Sequence, residues 1–317
     1  MLALVFDGKP ILRTDYPAPK AARDEALVAV RMAGICATDL EILKGYMGFR
    51  GVMGHEFVGR VVDGPGNWKD KRVVAEINCV CGRCDLCRRG LSDHCRRRTV
   101  LGIAGRDGVF AEMVALPAAN LHEVPDALSD EQAVFVEPLA AAWQIVRQIK
   151  FSPSDDVVVL GDGRLGQLIV RVLKPLPRRC VMVGRHPAKL EAAEKQGIET
   201  VLADDFVPAG KADVVIDATG SASGFELAMR AVRPRGVIVL KSTFAAAAGL
   251  SLAPLVVNEV TVIGSRCGPF GDAIRSLAAG EVDVSALISK VFPLRQALAA
   301  LEAAGSGDNL KVLIDVR

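Results

Sequence analysis

The sequence predicts an α/β protein of two domains, a β-rich barrel-like domain and a doubly wound parallel sheet. Three observations lead there. The chain has 317 residues, 50% apolar and 24% charged, enough to bury a large core and long enough to divide. Over residues 2–135, short β-branched runs are broken by glycine and proline, the texture of a barrel made of short strands. From residue 157 onward, apolar strands alternate with helical patterns, which implies βαβ units around a parallel sheet.

Residues 27–32, 56–62 and 72–77 read as barrel strands. Turn residues at 125–138 precede an Ala-rich helix at 139–150. A strand at 157–160, a helix at 166–173 closed by Pro175, and a strand at 180–183 follow. A helix at 187–196, a strand at 214–218, a helix at 225–232 and a strand at 237–240 continue the alternation. An amphipathic helix at 272–279 and a last strand at 312–315 end the chain; the alanine run at 245–248 carries little information.

Thirty-nine Lys plus Arg against 37 Asp plus Glu leave a formal charge of +2, and aromatics make up 5%, so neither a basic nucleic-acid groove nor a stacking platform is expected. No apolar run reaches the roughly 18–20 residues of a membrane span. The first ten residues lack a basic leader and a small-residue cleavage site, so a cytoplasmic location is expected rather than secretion. Five of eight cysteines fall between Cys79 and Cys95, a clustering that favours metal over disulfides in such a chain.

Gly161, Asp162, Gly163, Arg164, Leu165 and Gly166 fit G-x-G-x-x-G directly after an apolar strand and at the opening of a helix. There the glycines permit a tight turn and close backbone approach, and the helix N-terminus offers N–H groups to a pyrophosphate. At the end of the next strand an NAD site would carry Asp or Glu; here Gly184, Arg185 and His186 follow, so Arg185 is placed to receive a 2′-phosphate and NADP is favoured over NAD. The plain alternative is that Arg185 is a solvated loop residue. Cys81, Cys84, Cys87 and Cys95 have the C-x2-C-x2-C-x7-C spacing of a closed four-thiolate zinc site, leaving Cys79 spare. On separate loops upstream stand Cys36, Thr38 and Asp39, then His55 and Glu56, which can supply an open, catalytic zinc. Taken singly, Cys36 reads equally well as a small core residue and His55 as a satisfied loop histidine.

In combination these motifs, with Glu137-Pro138-Leu139-Ala140, resemble the zinc-dependent medium-chain dehydrogenase/reductase superfamily over nearly the whole chain. The resemblance implies a GroES-like catalytic domain at 1–137 with a structural zinc lobe at 79–98. It implies a Rossmann domain at 138–268 and completion of the catalytic domain by 269–317. It implies two zinc ions per chain, NADP or NAD as cofactor, and a homodimer or homotetramer. Cys36 and His55 match the first two catalytic-zinc ligands and Glu137 the third, with Glu56 beside the metal. Asp39 matches the partner that orients the zinc-binding histidine, and Thr38 the hydroxyl that takes the substrate proton. Where many relatives have a proton-passing histidine this chain has Glu41, closer to the sugar dehydrogenases; Glu41 is either a relay, a ligand for a substrate hydroxyl, or a solvated helix residue. The ends of the later strands, 217–220 with Thr219, 241–243 and 263–266, are expected to line the nicotinamide. The implied activity is hydride transfer between a secondary alcohol, polyol or sugar hydroxyl and NAD(P). A zinc-free quinone or enoyl reductase of the same superfamily and a non-enzymatic zinc-ribbon module are the alternatives.

Overall fold

The computed structural model describes residues 1–241, 249 and 251–317. The expectations for residues 242–243 and 245–248 lie outside the described residues. Two compact units are present, Met1–Glu137 with Phe270–Arg317, and Pro138–Pro269.

The first unit starts from a long strand, β1 (Glu25–Gly34), whose residues alternate between half-buried and buried before three buried positions at its end. Helix α1 (Ala37–Ile42) follows after a two-residue break and buries Asp39 and Ile42. Strands β2 (Glu56–Asp63), β3 (Arg72–Ala75), β4 (Met113–Pro117) and β5 (Leu121–Glu123) build up the antiparallel sheet. Between β2 and β1 the register places Glu56 opposite Gly34.

Helix α2 (Val136–Gln148) leads into the second unit. There β6 (Asp156–Leu160), α3 (Arg164–Leu173), β7 (Arg179–Gly184), α4 (Pro187–Glu194) and β8 (Glu199–Leu202) form one half of a parallel sheet. β9 (Ala212–Asp217), α5 (Ala222–Ala231), β10 (Val232–Leu240) and β11 (Thr261–Gly264) form the other, and the strand order is β8-β7-β6-β9-β10-β11. Every pairing in this sheet is parallel, and the order reverses beside β6, where α/β sheets bind ligands. The helix expected at 225–232 stops at Ala231, because Val232 is already extended (ψ 140°) and opens β10, which Pro234 keeps from being helical. Strand β8 is absent from the sequence reading, a four-residue segment exposed at both ends, whereas β11 ends at Gly264, within the strand end expected at 263–266.

The chain then returns to the first unit. β12 (Ile288–Pro293), α6 (Ala297–Gly305) and β13 (Lys311–Asp315) complete its main sheet, in the order β5-β3-β2-β1-β13-β12 with β4 also pairing β1. β13 is antiparallel to β1, with Leu313 opposite Gly34, so the last strand reaches the same end of β1 as Glu56. Among the described residues no helix is long and apolar enough to cross a membrane.

Candidate functional site

Cys36 is the N-cap of α1, and Asp39, at the third helical position, returns a carboxylate oxygen to the Cys36 N–H at 2.8 Å. This box closes the helix start and fixes both side chains. His55 and Glu56 follow Gly54, whose φ of +92° and whose 2.4 Å clearance to the Phe110 ring for any Cβ leave glycine as the residue that fits. The turn brings donor atoms of Cys36, His55 and Glu56 to within 4.8 Å of one another.

Asp39 is fully buried, and its Oδ1 lies 3.5 Å from His55 Nδ1; neither atom has a closer hydrogen-bond partner. Nδ1–H facing this carboxylate directs Nε2 elsewhere, as in carboxylate–histidine–metal arrangements. Burial disfavours a charged imidazole, yet Asp39 and Cys36 on either side outweigh it and hold the His55 pKa well above the ordinary histidine value. The pocket thus favours positive charge at the imidazole. A dication on Nε2 meets that demand, so one sulfur, one imidazole nitrogen and one carboxylate fit zinc with a position left open. Thr38 Oγ1 stands 3.8 Å from Cys36 Sγ.

Glu56 has a partner that sequence reasoning missed. Lys311, at the start of β13 and only 2% exposed, forms a close ion pair with Glu56 Oε2. Its Nζ also donates to the Ile35 carbonyl at 3.4 Å and lies 5.7 Å from the Phe135 ring. Gly34 makes the space: a Cβ there would meet Glu56 Oε2 and Lys311 Cε, each at 2.8 Å. Two expected residues are not brought into this cluster. Glu137, in the first turn of α2, is not among the atoms within 4.8 Å, and Glu41 is exposed and paired with Lys44 at 2.8 Å.

Cys81, Cys84, Cys87 and Cys95 form a second cluster. The sulfurs of Cys81 and Cys95, of Cys84 and Cys87, and of Cys84 and Cys95 are 3.5, 3.5 and 3.9 Å apart. A tetrahedral zinc with Zn–S of about 2.3 Å requires about 3.8 Å between sulfurs, so the separations fit the ion and not a disulfide. The Arg83 backbone N–H draws the Cys81 thiol down to about 6, and the Arg97 guanidinium donates to the same sulfur at 3.5 Å. Cys79 lies outside this group and is buried, with Asn120 Nδ2 3.9 Å from its sulfur.

In the second unit each glycine of the turn has its own reason. Gly161 has φ +110° and would press a Cβ against the Ala218 carbonyl at 2.8 Å. Gly166 would meet the Gly161 carbonyl at 2.0 Å, which locks helix to strand, whereas Gly163, N-cap of α3, has nothing within 4 Å and leaves its surface open for a phosphate. Arg164 and Leu165 open the helix. Thr219 N lies 3.2 Å from the same Gly161 Cβ position, and the Thr219 hydroxyl donates to Asp217 at 2.7 Å. Arg185 is exposed at the end of β7 and makes no ion pair among the described residues.

Comparison with known proteins agrees with both halves. Residues 22–126 match the alcohol dehydrogenase GroES-like domain, and residues 165–279 match the zinc-binding dehydrogenase family. D-arabitol-phosphate dehydrogenase of Enterococcus avium is 27% identical over 95% of this chain and 92% of its own length. A Sinorhizobium meliloti protein assigned as a zinc-binding dehydrogenase and solved with NADP superposes with a TM-score of 0.91 at 26% identity, covering 99% of this chain and 98% of that one. An alcohol dehydrogenase from Thermus sp. ATN1 superposes with a TM-score of 0.90 at 29% identity over the full length of both chains.

Proposed function

Since the chain belongs to the zinc-dependent medium-chain dehydrogenase/reductase superfamily, we propose that it oxidises a polyol, sugar or secondary-alcohol hydroxyl reversibly, with NADP preferred over NAD. The observation that carries this reading is the three-donor cluster of Cys36, His55 and Glu56 with the Thr38 hydroxyl beside it. When bound, zinc supplies Lewis-acid acidification of the carbinol and the dinucleotide supplies the hydride acceptor. Cys36 and His55 hold the metal, with Glu56 beside it and Glu137 as a further candidate ligand. Asp39 holds the His55 tautomer through Nδ1, so that Nε2 presents its lone pair. Thr38 Oγ1 would accept the proton that leaves the substrate hydroxyl while its own hydroxyl proton passes on to water, so that the side chain ends neutral. Cys81, Cys84, Cys87 and Cys95 hold a structural zinc with no open position.

Gly161, Gly163, Arg164, Leu165 and Gly166 receive the pyrophosphate, Thr219 borders the same turn, and Arg185 meets the 2′-phosphate. A zinc-free reductase would have no use for the first cluster, and a zinc-ribbon module none for the glycine turn. The enzyme is read as cytoplasmic and as a homodimer or homotetramer. In support of assembly, the sheet edge is apolar and exposed: β11 carries Val262 at 37% exposure, and Val256 and Val257 just before it are each 78% exposed.

The test is a panel of polyols, sugars, sugar phosphates and secondary alcohols assayed with NADP and NAD at the nicotinamide absorbance band, with zinc counted by elemental analysis. Turnover of polyols or sugars with about two zincs per chain is the expected result. A fully zinc-loaded protein inactive on the whole panel overturns the reading.

A further inference from the structure

Resting on the NADP reading above, we propose that Asp162 is a positioning residue that clamps the Arg185–His186 loop and thereby sets the preference for NADP over NAD. A carboxylate inside a phosphate-binding turn would ordinarily repel the ligand. Here it is turned to another use. Asp162 is only 6% exposed, and its Oδ2 accepts the backbone N–H groups of both Arg185 and His186 at 2.7 Å. The imidazole Nδ1 of His186 lies 3.0 Å from each carboxylate oxygen. Two backbone N–H donors and one imidazole nitrogen from one loop therefore converge on a single side chain, and the N–H dipoles offset part of its charge locally.

The end of β7 is shaped around this carboxylate. A Cβ at Gly184 would come within 2.5 Å of both Cβ and Oδ2 of Asp162, so the strand end admits Asp162 only because position 184 has no side chain. The far side of the loop is held as well. From α3, Gln167 Nε2 donates to the Lys189 carbonyl at 2.7 Å and the Arg171 guanidinium to the Ala192 carbonyl at 3.0 Å, fixing α4 directly behind His186. With the backbone held at both ends, the exposed Arg185 guanidinium starts from a fixed point, and less conformational freedom is lost when it takes up a phosphate. NAD has no 2′-phosphate and gains nothing from the clamp.

The experiment measures Kd for NADPH and NADH by nicotinamide fluorescence on the full-length protein and three variants, with no turnover required. Asp162→Asn keeps an oxygen able to accept both N–H groups; Asp162→Ala has none, and the Asp162→Ser hydroxyl is too short to reach both. In the Ala and Ser variants NADPH binding is expected to weaken about tenfold, the order of one lost clamp. NADH should weaken no more than about threefold, and Asp162→Asn should stay within about threefold of wild type on both cofactors. The proposal is overturned if removing the carboxylate tightens NADPH, as simple repulsion requires, or if Asn is as impaired as Ala. It is overturned equally if the Ala and Ser variants lose both cofactors to the same degree. Wild-type protein that prefers NADH overturns the NADP reading and this inference together; an NADPH preference unmoved by Ala and Ser overturns this inference alone.

Discussion

Replacing Lys311 by Met separates the role of its charge from the role of its stem. The side chain is 2% exposed and Glu56 1%, so Met fills most of the volume and leaves a buried carboxylate without its counter-ion. Breaking one partner of such a pair costs about 3–5 kcal/mol. That cost applies in full only while nothing else neutralises Glu56. Its donor oxygen lies within 4.8 Å of Cys36 and His55, so a dication bound there stands in for the ammonium. In zinc-stripped protein the variant is therefore expected to lose about 3–5 kcal/mol, and in zinc-loaded protein less than about 2 kcal/mol. At about 2–4 °C per kcal/mol for a unit of this size, the first loss lowers Tm by at least about 6 °C. Thermal and urea unfolding of wild type and variant, each with and without zinc, gives the four corners of the cycle, and stripping of the cysteine lobe cancels because it occurs in both proteins. The same cycle requires Lys311→Met to bind its catalytic zinc more tightly by the difference. Adding Glu56→Gln should recover most of the zinc-free loss. Equal losses with and without zinc would refute the reasoning, since Glu56 would then share no field with the ion.

Thr38→Val is expected to lower kcat by about 10²–10⁴-fold with little change in KM for the polyol, and Thr38→Ser to restore most of it; steady-state kinetics decide, and an unchanged kcat removes Thr38 from proton transfer. Asp39→Asn should weaken zinc about 10–100-fold in competition with a chromophoric chelator, because the His55 Nδ1–H then faces an uncharged partner. Cys95→Ser, at a position 1% exposed, should remove one zinc per chain by elemental analysis while the Cys36 cluster keeps its own. Burial and the hydrogen bond to Asp107 push Tyr16 up to about 12. The raised folded-state value favours the neutral phenol, so its contribution to stability is complete below pH about 10 and is lost as pH rises towards 12. Ultraviolet titration should show a late tyrosinate step that Tyr16→Phe abolishes.

What could be read from sequence and what could not divide along the distance between partners. The glycine turn is legible because its reasons lie within a few residues: Gly166 packs on the Gly161 carbonyl, and Gly163 opens a helix. The four cysteines are legible for the same reason. Glu41 shows what spacing alone leaves open. On an ideal helix it lies about 200° around from Asp39, and that angle puts it on solvent opposite the buried face, where it meets Lys44. Lys311 was illegible in principle from spacing, because its partner is 255 residues away. A lysine beside a buried apolar strand reads as the wet end of that strand until the register of β1, β2 and β13 is known. The indirect trace is Gly34: it ends a strand otherwise rich in Val and Ala, where a missing side chain weakens the sheet unless something else occupies the space. The space is taken by Val134 Cγ1 and by the Lys311–Glu56 ion pair, so the glycine is a condition for holding the lysine against Glu56, one of the three donors. The charge balance of the metal centre thus depends on strand pairing across the first and last thirds of the chain, not on any motif within either.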